Sequence, residues 1–467
     1  MKRHQLVFVT ALTACLGVLM TAALPASAAS PPRERREDAA PPPEVGEDGA
    51  VAAIERAAHP LRSTKPSGPL DDLRPLGPML GDAKIAGFGE ATHSSHEFFT
   101  MKHRVFRYLV TQKGFRTYAL EAPWSTGLRL NEYVLHGEGD PRRIMSEDFQ
   151  ESYLFWNTRE YLSLVKWMRT YNRAHPHDPV RFMGNDAAYA GPELYDRVTA
   201  YLRQARPELL PEVTRLYRGL RPATDTYSYM RAYLAKPPAE RRAMASRTGR
   251  ALELLRRARP ASGRAAHDGY AWALRHATAL DQTARLYAFD PKDPGELAKA
   301  MVFRDRTMAE NTLWWQERTG DKVMLSAHNG HVGYESVYPD RYPKTQGGFL
   351  RDRLGPDYVN VGFSFHHGSF NATEADDPLV DEEVRKISLG AAAPGNNEPA
   401  LDRVGYDDYL LDMRTAPTEA RDWLGVARPT RAIGTAYPWP DAQVALARSF
   451  DLLIHLHEVR AADRLPH

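Results

Sequence analysis

Short apolar runs alternate with longer stretches in which apolar residues recur every three or four positions, and the two patterns take turns along most of the chain. The runs at 84–87, 117–120, 180–183, 322–327, 359–365 and 452–456 are bounded by Gly, Asn, Asp or Pro and read as buried strands. Helical spacing lies between them. It runs from 96 to 112, over 128–135 and, more strongly, over 159–173, where Leu162, Val165 and Met168 share one face. This alternation predicts an α/β fold, a mostly parallel sheet flanked by helices. From about 191 to 290 the strand signal gives way to Arg, Ala, Leu and Tyr of good helix propensity, which predicts an inserted helical subdomain. A long helix over about 295–318 then returns the chain to the sheet. The polar, Pro- and Gly-containing stretch 371–399 reads as a long loop over the site edge.

The amino terminus has a different character. Lys2, Arg3 and His4 precede an apolar stretch from Leu6 to Leu24, and Ala26-Ser27-Ala28 has the small-x-small form of a signal-peptidase site. Residues 1–28 therefore read as a cleaved signal peptide, and the protein as secreted or extracytoplasmic. Leu12-Thr13-Ala14-Cys15 imitates a lipoprotein cleavage box, yet the apolar run continues well past it, so lipid anchoring at Cys15 is the lesser reading. Cys15 is the single cysteine of the 467 residues. Cleavage after Ala28 leaves no thiol, which excludes cysteine nucleophiles, disulfides and cysteine–metal sites from the mature chain. Positions 29–50 are rich in Pro, Glu, Arg and Asp and read as a disordered linker, because they bury too little apolar surface to offset ordering entropy. Residues 51–467 then form one domain with its helical insertion.

Charge removes further classes. The formal net charge is +2, from 61 basic and 59 acidic residues with no long run of one sign. Neither nucleic acid nor an acidic membrane surface is an expected partner, and no stable membrane association is expected after signal cleavage. Aromatic residues at 10%, with eight Trp, fit a sizeable core with apolar clefts.

Candidate chemistry sits in two patches, Gly87-Phe88-Gly89-Glu90-Ala91-Thr92-His93 and Ala327-His328-Asn329-Gly330-His331. Each follows a strand-like run, and open α/β sheets build their sites past the carboxyl ends of parallel strands. Glu90 and His93 are three apart; a carboxylate beside an imidazole raises its basicity and fixes its tautomer, making His93 a candidate base toward water. The blander reading is a helix-capping acid and a satisfied core histidine. Glu121 closes the second strand, where a buried carboxylate needs partners, as an orienting acid or in a structural salt bridge. His328 and His331 bracket Asn-Gly in a loop and suit oxyanion stabilisation, protonation of a leaving alcohol, or metal binding. Arg304 and Asp305, on the helix before them, His96 and Trp124 are the candidates for lining a substrate site; surface pairing or core packing is the alternative for each, and a helix packed with its start toward the site would let Arg304 or Asp305 hold the histidines in place. Asp186 and His366-His367 end other strands and read as structural or supporting groups. The chain has no Gly-x-Ser-x-Gly elbow, no Gly-Lys-Ser/Thr phosphate loop and no zincin helix, so hydrolysis by activated water remains.

Taken together, Gly89-Glu90-Ala91-Thr92-His93, Glu97-Phe98-Phe99, Ala119-Leu120-Glu121, Arg304-Asp305-Arg306-Thr307-Met308-Ala309-Glu310-Asn311 and Ala327-His328-Asn329-Gly330-His331 closely resemble the erythromycin esterase family from about 70 to 460. The resemblance implies an enzyme that opens a macrolide or other lactone by water attack, without a cofactor. It places the general base on His93, the neighbouring acid on Glu90, the strand-end carboxylate on Glu121, and the downstream histidines on His328 and His331. Such a resemblance constrains reaction better than substrate, here a small-molecule ester or lactone. The alternatives are a metal-dependent peptidase or amidase using Glu90, His93, His328 and His331 as ligands, and a non-catalytic ligand-binding protein of the cell envelope.

Overall fold

The computed structural model describes residues 46–260, 263–339, 342–374 and 384–466. The predicted signal peptide and most of the predicted linker lie outside the described residues.

Six strands, each built on a short apolar run, form a parallel sheet buried on both faces. They are β1 (Ile85–Phe88), β2 (Phe115–Pro123), β3 (Arg181–Asp186), β4 (Lys322–Ser326), β5 (Tyr358–Glu374) and, after two antiparallel additions, β8 (Leu452–Val459). The additions are β6 (Arg385–Leu389), which pairs with β5, and β7 (Asp408–Asp412), which pairs with β8. In space the parallel strands run β8, β5, β1, β4, β2, β3. Helices α1 (His96–Lys113), α2 (Trp124–His136) and α3 (Arg159–Ala174) make the early crossovers. Helix α1 ends at Gly114, whose φ of 72° is the left-handed stop that glycine adopts without a Cβ clash.

Strand β4 enters late in the chain but wedges between β1 and β2. The chain between β3 and β4 is helical: α4 (Pro192–Ala205), α5 (Leu210–Tyr217), α6 (Thr226–Leu234), α7 (Pro238–Arg257), α8 (Arg264–Ala288) and the 26-residue α9 (Pro294–Thr319). Among the described residues no strand interrupts it. The amino end of α9 is fixed by Asp293, whose carboxylate accepts from the backbone N–H groups of Gly295 and Glu296. Close packing of α2 on β3 depends on glycine: a Cβ on Gly127 would lie 1.9 Å from the backbone nitrogen of Gly184.

Two expectations need correction. The linker was placed through residue 50, but a helix spans Glu47–Ala57 and buries Ala50, Val51, Ala53 and Ile54. Its polar start is a helix end, anchored where Arg403 pairs with Glu47 and Asp48. The stretch 371–399 is also not a plain loop. Strand β5 runs on to Glu374, β6 pairs with it over Arg385–Leu389, and a helix begins at Asn397. Its polarity is that of a largely exposed edge strand, which carries no buried face to mark it.

Candidate active site

Strand order decides which residues meet. Strands β1, β4 and β2 are neighbours, with Phe88 beside Ser326 and Ser326 beside Leu120. Glu90 and His328 each lie two residues beyond that level and Glu121 one, so three remote segments reach one edge together. A register shift between Leu120 and Pro123 in β2 lies at Glu121, the kind of local irregularity that re-aims a side chain. The second patch is a helical turn rather than the expected loop: α10 (Asn329–Val332) is capped by His328 itself. The Asn329 amide extends the sheet, accepting from the Phe363 N–H at 3.0 Å and donating to its carbonyl at 2.7 Å. That side chain leaves no room above Gly89, where a Cβ would come 2.0 Å from Asn329 Oδ1.

Glu90 is fully buried. One oxygen lies 2.8 Å from His93 Nδ1 and the other accepts from the ammonium of Lys102, itself fully buried on α1. Burial pushes the Glu90 pKa up, but the Lys102 charge and the His93 hydrogen bond outweigh it and hold the carboxyl below its ordinary value. An ionised Glu90 accepts a hydrogen bond from Nδ1–H, which presents the His93 Nε2 lone pair to a substrate or water. The His93 ring lies 4.9 Å from that of His328 and 5.1 Å from that of Trp156.

His328 Nδ1 accepts from the backbone N–H of Gly330 at 3.1 Å, which places the ring proton on Nε2. That Nε2 is buried and has no hydrogen-bond partner among the described residues. Burial, and then the neighbouring His93, push the His328 pKa down to about 3, so it is a neutral donor. Its backbone N–H donates to Glu121 at 3.0 Å.

His331 is held in the opposite state. Nδ1 lies 2.7 Å from Asp305 and Nε2 3.1 Å from Glu121. Burial disfavours its charge, but the two carboxylates outweigh burial and push its pKa up to about 10. Arg304 completes the group, donating to Glu121 at 2.9 Å and to both oxygens of Asp186. Asp305 also accepts from the Tyr342 hydroxyl and from the Gln346 N–H at 2.7 Å. Burial raises the Glu121 pKa, yet His331 and Arg304 hold it well below the carboxylate range.

The structure thus brings together Glu90, His93, Glu121, His328 and His331, with Arg304 and Asp305 behind them. Arg304 and Asp305 are buried against Asp186, Glu121 and His331, so they hold the histidines rather than line a cleft. Two of the expected substrate-lining groups are engaged by other partners. His96 is engaged by Glu160 and Arg460 near the carboxyl terminus. Trp124 packs into an aromatic cluster with Trp314 and Trp315, under the Arg275 guanidinium. As a cation cradle the histidine cluster fits poorly: both His331 nitrogens and both Glu90 oxygens are committed, and Lys102 and Arg304 add fixed positive charge. An open cleft of about 610 Å³ lies at the other end of the sheet, lined by Met79, Asp357 and Arg414 among others, and holds none of these groups. Lys102, Trp156 and Tyr342 were not anticipated from sequence.

Comparison with known proteins identifies the family and the fold. The family model described as erythromycin esterase matches residues 110–459. The erythromycin esterase type II of Escherichia coli is 24% identical over 380 residues, covering 77% of this chain and 88% of that protein. A solved succinoglycan biosynthesis protein is 28% identical, with a TM-score of 0.78 over 90% of this chain and 99% of its own. A solved Bacillus cereus protein is 29% identical, with a TM-score of 0.80 over 90% and 100% of the two chains. A mutant of the erythromycin esterase EreC in its open conformation shares the fold at 16% identity and a TM-score of 0.67, over 86% and 98% of the two chains.

Proposed function

We infer, for a chain that belongs to the erythromycin esterase family, that it hydrolyses a carboxylic ester, foremost a lactone, by direct attack of a water molecule activated by His93. The observation that carries this reading is the pairing of opposed imidazole tautomers: His93 oriented by an ionised Glu90, beside a neutral His328 whose buried Nε2–H has no partner among the described residues. His93 Nε2 takes one proton from water as its oxygen adds to the ester carbonyl. The negative charge then forming on the carbonyl oxygen accepts from His328 Nε2–H, a donor fixed before the substrate arrives. Collapse of the tetrahedral intermediate breaks the carbon–alkoxide bond, and the proton on His93 passes to the leaving oxygen, giving one acid and one alcohol and restoring the base. His331 stays protonated throughout. With Glu121 and Arg304 it anchors the His328 turn and contributes fixed positive charge close to the oxyanion.

The likeness to a succinoglycan biosynthesis protein supports a second substrate class for the same chemistry, an ester borne by a glycan. Export of the protein rests on the amino-terminal signal pattern, and recovery of a chain starting near Ser30 from culture medium tests it. Among the described residues no helix is long and apolar enough to cross a membrane. The functional test is incubation of the purified protein with macrolides, simple lactones and acylated oligosaccharides, followed by mass spectrometry. Gain of one water by a lactone, or release of a free acid from an acylated sugar, supports the reading. No product from any ester overturns it.

A further inference from the structure

Residues 431–435 pass beside His93 as a strap that is anchored on both sides of Gly434. The Arg431 N–H donates to Glu398 Oε1 at 2.7 Å, and its guanidinium donates to the carbonyls of His366 and Gly390. The Ile433 N–H donates to the Ala91 carbonyl at 2.8 Å, two residues before His93. On the other side the Thr435 carbonyl accepts from the Thr373 N–H at 2.9 Å and from its hydroxyl at 3.1 Å. Ala436 and Tyr437 then pair with the end of β5. Ala432 and Ile433 are buried and Gly434 is half-buried, so the strap meets solvent at this residue.

Nothing among the described residues requires glycine there. Its φ lies outside the left-handed region. Apart from its chain neighbours, an added Cβ would have a single atom within 4 Å among the described residues, His93 Cδ2 at 3.9 Å, which is ordinary van der Waals contact. Gly87, Gly89 and Gly127 differ, because a Cβ on each would collide with Tyr358, Asn329 and the Gly184 backbone respectively. Position 434 is therefore open by sequence and not by packing. The atom it borders is the ring carbon bonded to Nε2. The other sides of that ring are occupied: Nδ1 lies 2.8 Å from Glu90, and the rings of Trp156 and His328 stand 5.1 Å and 4.9 Å away.

Building on the hydrolytic reading of His93, we propose that Gly434 is the specificity-determining position of this site, the space left by its missing side chain taking the alcohol part of the ester. His328 receives the oxyanion. His93 Nε2 must meet first the attacking water and then the leaving oxygen, since the same nitrogen returns the proton. The carbon borne on that oxygen is thus carried along the Cδ2–Nε2 edge, beside Gly434. The acyl chain is under no such constraint. A side chain at 434 would start in contact with that edge and take up the room that a branched alcohol carbon needs.

The test uses full-length wild type, Gly434→Ala and Gly434→Val, with two substrate pairs that differ in the alcohol part: methyl and cyclohexyl butyrate, and δ-valerolactone and δ-hexalactone. Steady-state kinetics give kcat/KM for each, and far-UV circular dichroism and melting establish the fold. In Gly434→Val the ratio of branched to unbranched substrate should fall about tenfold or more, and in Gly434→Ala by less. Gly434→Ala should melt with wild type. An unchanged ratio in folded variants overturns the role of Gly434 and leaves the hydrolytic reading in place. So does a Gly434→Ala protein that fails to fold, because the glycine would then serve the backbone. Wild type that turns over none of the four overturns the proposal, and the hydrolytic reading falls with it if macrolides and acylated sugars also go unhydrolysed.

Discussion

Raising the pH should strip the proton from His331 and remove the stability that its charge contributes. The folded-state pKa is about 10, against an ordinary value of 6.5, because Asp305 and Glu121 flank the ring in a buried setting. That difference, at about 1.4 kcal/mol per unit, amounts to about 5 kcal/mol. Because the folded state binds the proton more tightly, the whole contribution is present below 6.5, declines as pH climbs, and is gone above 10. The physical content is two buried carboxylates left facing a neutral ring, with Arg304 as their remaining cation. The comparison is wild type against His331→Gln, unfolded in urea and followed by tryptophan fluorescence between about pH 7 and 9.5. At pH 7 the variant should be less stable by about 3–5 kcal/mol, as for a buried ion pair stripped of one partner. The gap should then close by about 3 kcal/mol toward pH 9.5, since only wild type has the proton to lose. Taking the difference cancels the tyrosines and lysines that titrate in both proteins. Parallel stability curves across that interval would show that His331 is not held as a cation, and the electrostatic part of the account would fall.

Other perturbations separate structure from chemistry. Glu90→Gln leaves the buried Lys102 ammonium without its carboxylate and should destabilise the fold by about 3–5 kcal/mol; adding Lys102→Met should recover most of that in a melting experiment while turnover stays low. His328→Asn removes the fixed Nε2–H donor and should lower kcat about 10²–10³-fold with a smaller change in KM, read from steady-state kinetics. Gly127→Ala sets a methyl group 1.9 Å from the Gly184 nitrogen and should lower Tm sharply or leave the protein insoluble.

The strands were legible because a parallel sheet covered on both faces writes itself as short apolar runs, and β1, β2, β3, β4, β5 and β8 all carry that mark. Edge strand β6 does not: its exposed polar residues look like a loop until a partner strand is known. The two histidine patches were legible because polar groups directly after buried strands stand out. What they would touch was not. Arg304 and Asp305 read equally as cleft-lining groups or as supports of the histidines, because the direction in which α9 presents them is set by tertiary packing that no local spacing records. Lys102 passed unnoticed because a lysine within a helix ordinarily reads as solvated. The available signal was its company: Phe98, Phe99, Met101, Val105 and Phe106 surround it in sequence and are buried, so a charge there required a buried partner. Trp124 illustrates the reverse case, an aromatic just past the strand end that carries Glu121, whose ring serves the helical packing behind it.

Everything functional above depends on His93 being the group that removes a proton from water. Turnover of a lactone by wild type and by His93→Ala, with the fold of each verified by circular dichroism and its product weighed, tests that directly. A general base contributes about 10²–10⁴-fold to rate, so the variant should lose at least two orders of magnitude in kcat. Equal turnover by a folded His93→Ala protein would contradict the account.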